Sequence, residues 1–165
     1  MTVQYFAYGS NLASHRLLER LPNAIIDGVA ILHQHRLCFR KNDRGQSGKC
    51  DIQFTGLRTD IVYGVIYRIT RAEKRTLDSY ETQGFGYLDK TVEVTRLSGD
   101  LVEAITYFAV DIDEMQQPYH WYKEHVLRGA REHAFPTEYI DWIETQESIQ
   151  DADLDRTARE LSIYA

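Results

Sequence analysis

The chain contains no long apolar segment. No stretch approaches the roughly 18 consecutive apolar residues that a membrane-spanning helix needs. The N-terminal residues MTVQYFAYG also lack the basic region and following apolar stretch of a secretory signal. We therefore expect a protein with no membrane association and no signal peptide.

Cysteine is scarce. Cys38 and Cys50 are the only two cysteines, and they have neither zinc-type spacing nor nearby metal-ligating partners. This pattern favours a cytoplasmic protein with two reduced thiols, although a single disulfide is also compatible with the sequence.

Basic clusters are missing as well. The chain carries 19 basic and 25 acidic side chains, for a formal charge of −6, and its basic residues are scattered. Because nucleic acids and anionic membranes are bound through dense positive patches, this balance argues against both as primary partners. No repeat or linker interrupts the 165 residues, so we predict one domain spanning residues 1–165.

Several common catalytic motifs are missing. The sequence contains no Gly-x-Gly-x-x-Gly run or phosphate-binding loop. Ser10 lacks the Gly-x-Ser-x-Gly turn of a serine nucleophile. The histidine pairs His33/His35 and His120/His125 lack the additional ligands of a metal site, so we predict no metal.

What the chain does contain is a distinctive turn near its start. The apolar run from Val3 to Ala7 leads into Tyr8-Gly9-Ser10-Asn11-Leu12. A strand that breaks at glycine and enters a helix leaves unpaired backbone N–H groups, which can hold a carboxylate or an oxyanion. Such turns also occur where nothing binds, so the motif alone leaves both interpretations open.

Tyrosine is abundant, with eleven residues. Its ring and hydroxyl suit both the wall of a half-wet cavity and the face of an ordinary strand. The tyrosine count therefore does not distinguish between a binding site and a structural role.

Periodicity and turn residues predict seven strands and five helices. The expected strands cover residues 3–8, 24–32 with a bend at Asp27-Gly28, 35–40, 50–55 and 61–69, followed by a hairpin of 87–97 and 101–110. A polar loop is expected over 41–48. The first expected helix covers 13–21. The second is about ten residues long, begins at a Thr70/Glu73 capping box and buries Leu77 and Tyr80. Three further helices are expected to begin near Pro118, at Pro136, and at Asp151 or Asp153.

This order of elements predicts the fold class. Strands dominate the first part of the chain, one helix is inserted among them, and helices form the C-terminal part. We therefore predict an α+β fold, a single domain with a mixed, mostly antiparallel, barrel-like sheet and flanking helices, rather than a doubly wound parallel sheet.

Two carboxylates lie near the end of the Thr70 helix. Asp78 and Glu81 are three residues apart, and Glu81 lies among the aromatic residues Tyr80, Phe85 and Tyr87. Glu81 is either a solvated surface acid or a partly desolvated carboxylate with the raised pKa of a general acid/base. Spacing alone leaves both alternatives open.

Three segments together resemble the gamma-glutamylcyclotransferase-like family. They are Phe6 to Leu12 with its Tyr-Gly-Ser-Asn turn, the segment from Val62 to Ile69 leading into Leu77 to Glu81, and a C-terminal block from Pro118 through Gly129-Ala130-Arg131-Glu132-His133 to Tyr139. They occur in the family's order and cover most of the chain.

The resemblance implies an enzyme without a cofactor that acts on a small gamma-glutamyl substrate. In this family the substrate's own alpha-amine attacks the gamma-glutamyl amide carbonyl, which releases an amine and 5-oxoproline. The resemblance implies that Glu81 moves the protons as general acid/base. It also implies that Tyr8, Gly9, Ser10, Asn11 and Leu12 form the substrate-binding turn, and that Tyr87 and Tyr122 line the cavity.

One departure from the family pattern concerns the residues after Glu81. Family members often have glycine directly after this glutamate, whereas here Thr82-Gln83 precede Gly84, which bears on substrate choice.

Two alternatives to the cyclotransferase are a non-catalytic binder of a gamma-glutamyl or other small acidic metabolite, and an enzyme that removes a gamma-glutamyl protecting group during biosynthesis. The leaving amine and the oligomeric state are not readable from the sequence.

Overall fold

A computed structural model describes residues 1–81 and 85–165 of the chain. Within these residues the strands are β1 Thr2–Ala7, β2 Ile25–His33, β3 His35–Asp43, β4 Ser47–Phe54, β5 Ile61–Thr70, β6 Tyr87–Arg96 and β7 Leu101–Ala109. The α-helices are α1 Ser14–Arg20, α2 Arg71–Tyr80, α3 His120–Glu132, α4 Thr137–Thr145 and α5 Leu154–Ser162.

Five strands close into a barrel in the order β1-β5-β2-β6-β7. All neighbours in this order are antiparallel, and the barrel closes through a parallel contact between β1 and β7. β3 and β4 form a separate two-stranded antiparallel sheet. The prediction of a mostly antiparallel, barrel-like α+β domain is confirmed.

β2 contains the predicted bend. Its register against β5 shifts between Ile26 and Gly28, and Gly28 has a φ of 117°. Since side chains are strongly disfavoured at this φ, glycine is what allows the bulge at this point.

The predicted polar loop over 41–48 is wrong. β3 continues to Asp43 and β4 begins at Ser47. A short turn joins them, in which Arg44 and Gly45 have φ values of 56° and 70°. Polar side chains obscured the strand pattern here, because Lys41 and Ser47 are buried although they are polar.

α2 begins at the predicted capping box. The Thr70 hydroxyl accepts a hydrogen bond from the Glu73 N–H at 3.1 Å, and the Glu73 carboxylate accepts one from the Thr70 N–H at 2.9 Å. Leu77 is fully buried as expected, but Tyr80 is 52% exposed. Tyr80 is the last residue of the helix, and its ring packs under the Arg20 guanidinium at 4.6 Å instead of entering the core.

The C-terminal helices also begin near their predicted residues. Pro136 lies directly before α4, and Ile143 of α4 is fully buried. Of the two candidate caps for α5, Asp153 is the one that accepts a hydrogen bond from the Arg156 N–H. The Asp151 carboxylate instead binds the Trp121 indole N–H at 2.8 Å and the Arg156 side chain.

α3 packs tightly against the segment that follows β1. A Cβ at Gly129 of α3 would lie 2.3 Å from the Leu12 Cβ and 2.5 Å from the Ala13 nitrogen. The Leu12 carbonyl also accepts hydrogen bonds from the Tyr67 hydroxyl and the His133 ring. These contacts position the turn between β1 and α1.

No helix among the described residues is long and apolar enough to cross a bilayer. Cys38 and Cys50 are both free thiols, Cys50 being buried and Cys38 partly exposed.

Candidate active site

The turn after β1 places its residues at the end of the barrel. Gly9 leads into a short 3-10 turn, Ser10–Leu12. A Cβ at Gly9 would lie 2.9 Å from the Cys50 Cβ, which is closer than real Cβ contacts allow. Glycine is therefore needed here for close packing of the turn against β4.

This turn forms one wall of a narrow pocket. The lining residues are Tyr5, Tyr8, Gly9, Ser10, Asn11, Cys50, Glu81, Tyr87, Tyr107 and Tyr122. The barrel and α3 thus bring together residues that are up to 117 positions apart in the chain. All of the site residues predicted from the sequence except Leu12 line this pocket.

Leu12 lies elsewhere. Its side chain is fully buried in the hydrophobic core against α3, where it supports the turn from behind.

The sequence prediction missed three lining residues, Tyr5, Cys50 and Tyr107. The abundance of tyrosine was the signal that could have found two of them. Five of the eleven tyrosines surround this pocket. Which five they are depends on barrel closure, which the sequence does not reveal.

Glu81 reaches the pocket from the end of α2. Its backbone N–H still bonds the Leu77 carbonyl at 2.9 Å, so the helix orients this residue although α2 has ended. The Asn11 side-chain amide donates a hydrogen bond to Glu81 Oε1 at 3.2 Å. The structure thereby places Glu81 at the pocket, opposite the turn, and not on the outer face of the helix.

Burial raises the pKa of the Glu81 carboxyl above its ordinary value. The positive charges of Arg20, Lys49 and Arg16 oppose this rise, and so does the hydrogen bond from Asn11. Since burial favours the neutral acid and the other contacts favour the carboxylate, Glu81 is suited to both take up and release a proton.

The other titratable groups of the inner pocket stay protonated near neutral pH. Burial raises the pKa of all five tyrosines above the ordinary value. Burial likewise raises the pKa of the Cys50 thiol, which makes this cysteine a poor nucleophile. Among the residues that line the inner pocket, Glu81 is therefore the group suited to proton transfer.

The predicted tyrosines Tyr87 and Tyr122 both bind the backbone of Cys50. The Tyr87 hydroxyl donates to the Cys50 carbonyl at 2.7 Å, and the Tyr122 hydroxyl accepts from the Cys50 N–H at 3.0 Å. These bonds hold both rings rigidly in the pocket wall.

Asp78 has a supporting position. It accepts hydrogen bonds from the Lys74 ammonium and from the Tyr107 hydroxyl at 2.6 Å. It therefore fixes the orientation of a pocket tyrosine and does not itself line the pocket.

A wider outer cleft of about 460 Å³ adjoins the inner pocket. Ser10, Glu81, Tyr87 and Tyr122 line both, so the two spaces are continuous. The cleft is also lined by Arg16, Arg20, Lys41, Asn42, Asp43, Arg44, Lys49, Tyr80, Phe85, Gly86 and Asp111. Five basic and three acidic side chains thus surround it in a chain whose net charge is negative.

Arg16 connects the cleft to the C-terminal helix. Its guanidinium donates to the Ser10 hydroxyl at 3.3 Å, pairs with Glu160 of α5, and contacts the buried His125 ring. Burial alone would raise the pKa of Glu160, but His125 and Arg16 outweigh it and lower this pKa to about 2. The network fixes Arg16 beside the turn.

No cluster of three or more His, Cys, Asp or Glu side chains suited to hold a metal ion occurs in residues 1–81 and 85–165. His33 and His35 interact locally, since the His35 Nδ1 atom lies 2.8 Å from the His33 carbonyl oxygen. The departure from the family pattern at Thr82-Gln83 lies outside the described residues.

Comparison of the sequence with known proteins identifies a matching family and named relatives. The model of the AIG2-like family matches residues 61–143. Gamma-glutamylcyclotransferase from Mus musculus is 32% identical over 145 residues, which cover 84% of this chain and 75% of the mouse protein. The protein of the same name from Homo sapiens is 31% identical over 142 residues, which cover 82% of this chain and 73% of the human protein.

Solved structures share the fold. One described as a gamma-glutamyl cyclotransferase superposes with a TM-score of 0.84 at 24% identity, over 96% of this chain and 99% of the other. An uncharacterised protein from Homo sapiens superposes with a TM-score of 0.81 at 26% identity, over 96% of this chain and 98% of the other. The chain therefore belongs to the gamma-glutamylcyclotransferase-like, or AIG2-like, family.

Proposed function

We propose that this protein is a gamma-glutamylcyclotransferase, which converts a gamma-glutamyl amide into 5-oxoproline and a free amine or amino acid. The observation that carries the proposal is the position of Glu81, a carboxylate of raised pKa held by Asn11 in a pocket whose tyrosines stay protonated. Membership of a family whose relatives are named gamma-glutamylcyclotransferases supports the same reaction.

The reaction needs proton transfer more than a protein nucleophile. Glu81 takes a proton from the substrate's alpha-ammonium group, and the free amine attacks the gamma-carbonyl carbon to form a five-membered ring. As the tetrahedral intermediate collapses, the carbon–nitrogen bond of the amide breaks and Glu81 returns its proton to the leaving nitrogen. The second proton of the ring nitrogen passes to the released amine, which leaves as its ammonium ion. Because the attacking group belongs to the substrate, the rate depends on holding the substrate in a folded, near-attack shape.

The turn after β1 is suited to hold the substrate. Gly9, Ser10 and Asn11 line the pocket opposite Glu81, where N–H groups can bind the glutamyl carboxylate or the developing oxyanion. Tyr8 and Tyr87 complete the wall, and Tyr122 closes it from α3. In this proposal Leu12 supports the turn through packing and does not contact the substrate.

Removal of a gamma-glutamyl protecting group from a biosynthetic intermediate would use the same proton transfer by Glu81 and stays an alternative. A non-catalytic binder is favoured less, because a carboxylate beside an anionic ligand weakens binding, whereas an enzyme needs it for proton transfer. Independence from cofactors and a cytoplasmic location remain predictions.

A panel of gamma-glutamyl dipeptides and gamma-glutamyl amines, assayed for 5-oxoproline, tests the proposal. We expect release of 5-oxoproline together with one equivalent of free amine from at least one class of substrate. Binding of these compounds without turnover would instead favour the non-catalytic alternative.

A further inference from the structure

Lys41 is an unusual residue in the wall of the outer cleft. Its side chain is 9% exposed, and no group in the described part of the chain forms a hydrogen bond with its ammonium. The nearest carboxylate oxygen belongs to Asp43, at 3.8 Å, and the Tyr87 ring centroid lies at 5.5 Å. Partial desolvation of an ammonium that has no hydrogen-bond partner among the described residues carries a cost, so the site favours an additional anion.

The neighbour of Lys41 increases this cost. Lys41 on β3 and Lys49 on β4 are direct partners in the strand register. Like charges in this position destabilise a strand pair. Asp43 is shared between them, with its second oxygen 3.2 Å from the Lys49 ammonium, and one carboxylate cannot neutralise two lysines.

The position of this pair relates it to the proposed reaction. Both lysines line the cleft that continues from the inner pocket, and Tyr87, which Lys41 contacts, also lines that pocket beside Glu81. The cleft is also lined by Asp111, which accepts a hydrogen bond from the Asn42 amide at 3.1 Å, so the five basic side chains still outnumber the three acidic ones. A substrate whose gamma-carbonyl lies beside Glu81 and the turn would extend its leaving amine into the cleft.

We propose that Lys41, assisted by Lys49, binds a carboxylate carried by the leaving amine and so selects gamma-glutamyl amino acids or peptides over gamma-glutamyl amines. This inference rests on the proposed cyclotransferase function. Burial and the charge of Lys49 lower the pKa of Lys41, and the carboxylates of Asp43, Asp111 and Glu81 oppose this effect. A substrate carboxylate would further stabilise the charged form of Lys41.

Two substrates that differ only in that carboxylate provide the test. Gamma-glutamyl-alanine and gamma-glutamyl-ethylamide have the same amide and the same alkyl carbons, but only the first carries a leaving-group carboxylate. We expect the wild-type kcat/KM for 5-oxoproline release to be about 10- to 100-fold higher with gamma-glutamyl-alanine, as for the loss of one charged hydrogen bond.

The variant Lys41→Gln should remove most of this preference, through a rise in KM for gamma-glutamyl-alanine. Lys90→Gln is the matched control, because Lys90 is also a partly buried lysine over an aromatic ring, that of Phe108 at 5.3 Å, but it lies outside the cleft. Its preference should equal that of the wild type. Lys49→Gln, at a more exposed position, should reduce the preference partly and serves if Lys41→Gln does not fold.

The outcomes separate this inference from the proposed function. Equal wild-type turnover of both substrates, or an equal loss with both in Lys41→Gln, would overturn the role of Lys41 and leave the cyclotransferase assignment in place. If the wild-type protein releases 5-oxoproline from neither substrate nor from the wider panel, the assignment fails, and this inference fails with it.

Discussion

Asn11 donates a hydrogen bond from its side-chain nitrogen to Glu81 Oε1, joining residues 70 positions apart across the pocket. The side-chain oxygen of Asn11 accepts a hydrogen bond from the Arg20 guanidinium at 3.1 Å. Since a guanidinium can only donate, this contact directs the Asn11 oxygen towards Arg20 and its NH₂ group towards Glu81. Asn11 therefore presents a donor to the carboxylate and favours its ionised form.

Replacement of Glu81 with glutamine should abolish 5-oxoproline formation and leave the fold intact. The change preserves shape and removes the group that transfers the proton, so we expect kcat/KM to fall by at least about a hundredfold. The assay is 5-oxoproline release, with circular dichroism and thermal unfolding to verify the fold.

Glu93→Gln is a suitable control, because it makes the same change at an exposed position on β6. It should retain wild-type activity. Full activity in Glu81→Gln would contradict the assignment of Glu81.

Loss of the Arg20 charge should shift the pH dependence of the reaction. Arg20 is the largest influence that lowers the pKa of Glu81 against the effect of burial. In Arg20→Gln this influence is lost, so the pKa of Glu81 rises and a higher pH is needed to ionise it. The acidic limb of the profile of kcat/KM against pH should therefore move to higher pH.

Arg20→Lys retains the positive charge and should show a smaller shift than Arg20→Gln. An acidic limb that stays at the same pH in Arg20→Gln would mean that a group other than Glu81 controls it.

Gly129→Ala should destabilise the protein although alanine is the better helix former. Alanine favours a helix by about 1 kcal/mol over glycine. The added Cβ would lie 2.3 Å from the Leu12 Cβ, however, and such overpacking costs about 1–3 kcal/mol.

Because the backbone of the turn must move to relieve this overlap, activity should fall as well. Urea unfolding and the 5-oxoproline assay measure the two effects. An unfolding midpoint equal to or above that of the wild type would show that α3 does not constrain the turn.

Features set by near neighbours could be predicted from the sequence. The Thr70/Glu73 capping box, the bulge at Gly28 and the β6–β7 hairpin each depend on residues close together in the chain or on a simple alternation. Features that depend on distant contacts were missed or wrong. Tyr80 was expected in the core because its helical spacing from Leu77 is correct, but the end of α2 turns its ring to Arg20.

The site residues likewise divide into those that could be predicted from the sequence and those that depend on distant contacts. The turn at Tyr8 to Asn11 and the carboxylate at Glu81 were identified from motifs and family resemblance, and they line one pocket. The contribution of Tyr5 and Tyr107 could not be identified, because it depends on which faces of β1 and β7 turn inward when the barrel closes. The burial of Leu12 depends on the approach of α3.

The order and type of most elements could be predicted from the sequence, because capping, alternation and turn chemistry act over a few residues. The two halves of the candidate site were predicted from the turn motif together with the family resemblance. Three features are visible only in the folded chain: Asn11 bonds Glu81, Lys41 is buried opposite Lys49, and tyrosines from separate strands share one pocket. Barrel closure produces these contacts. It depends on long-range strand pairing, which no local stretch of the chain encodes.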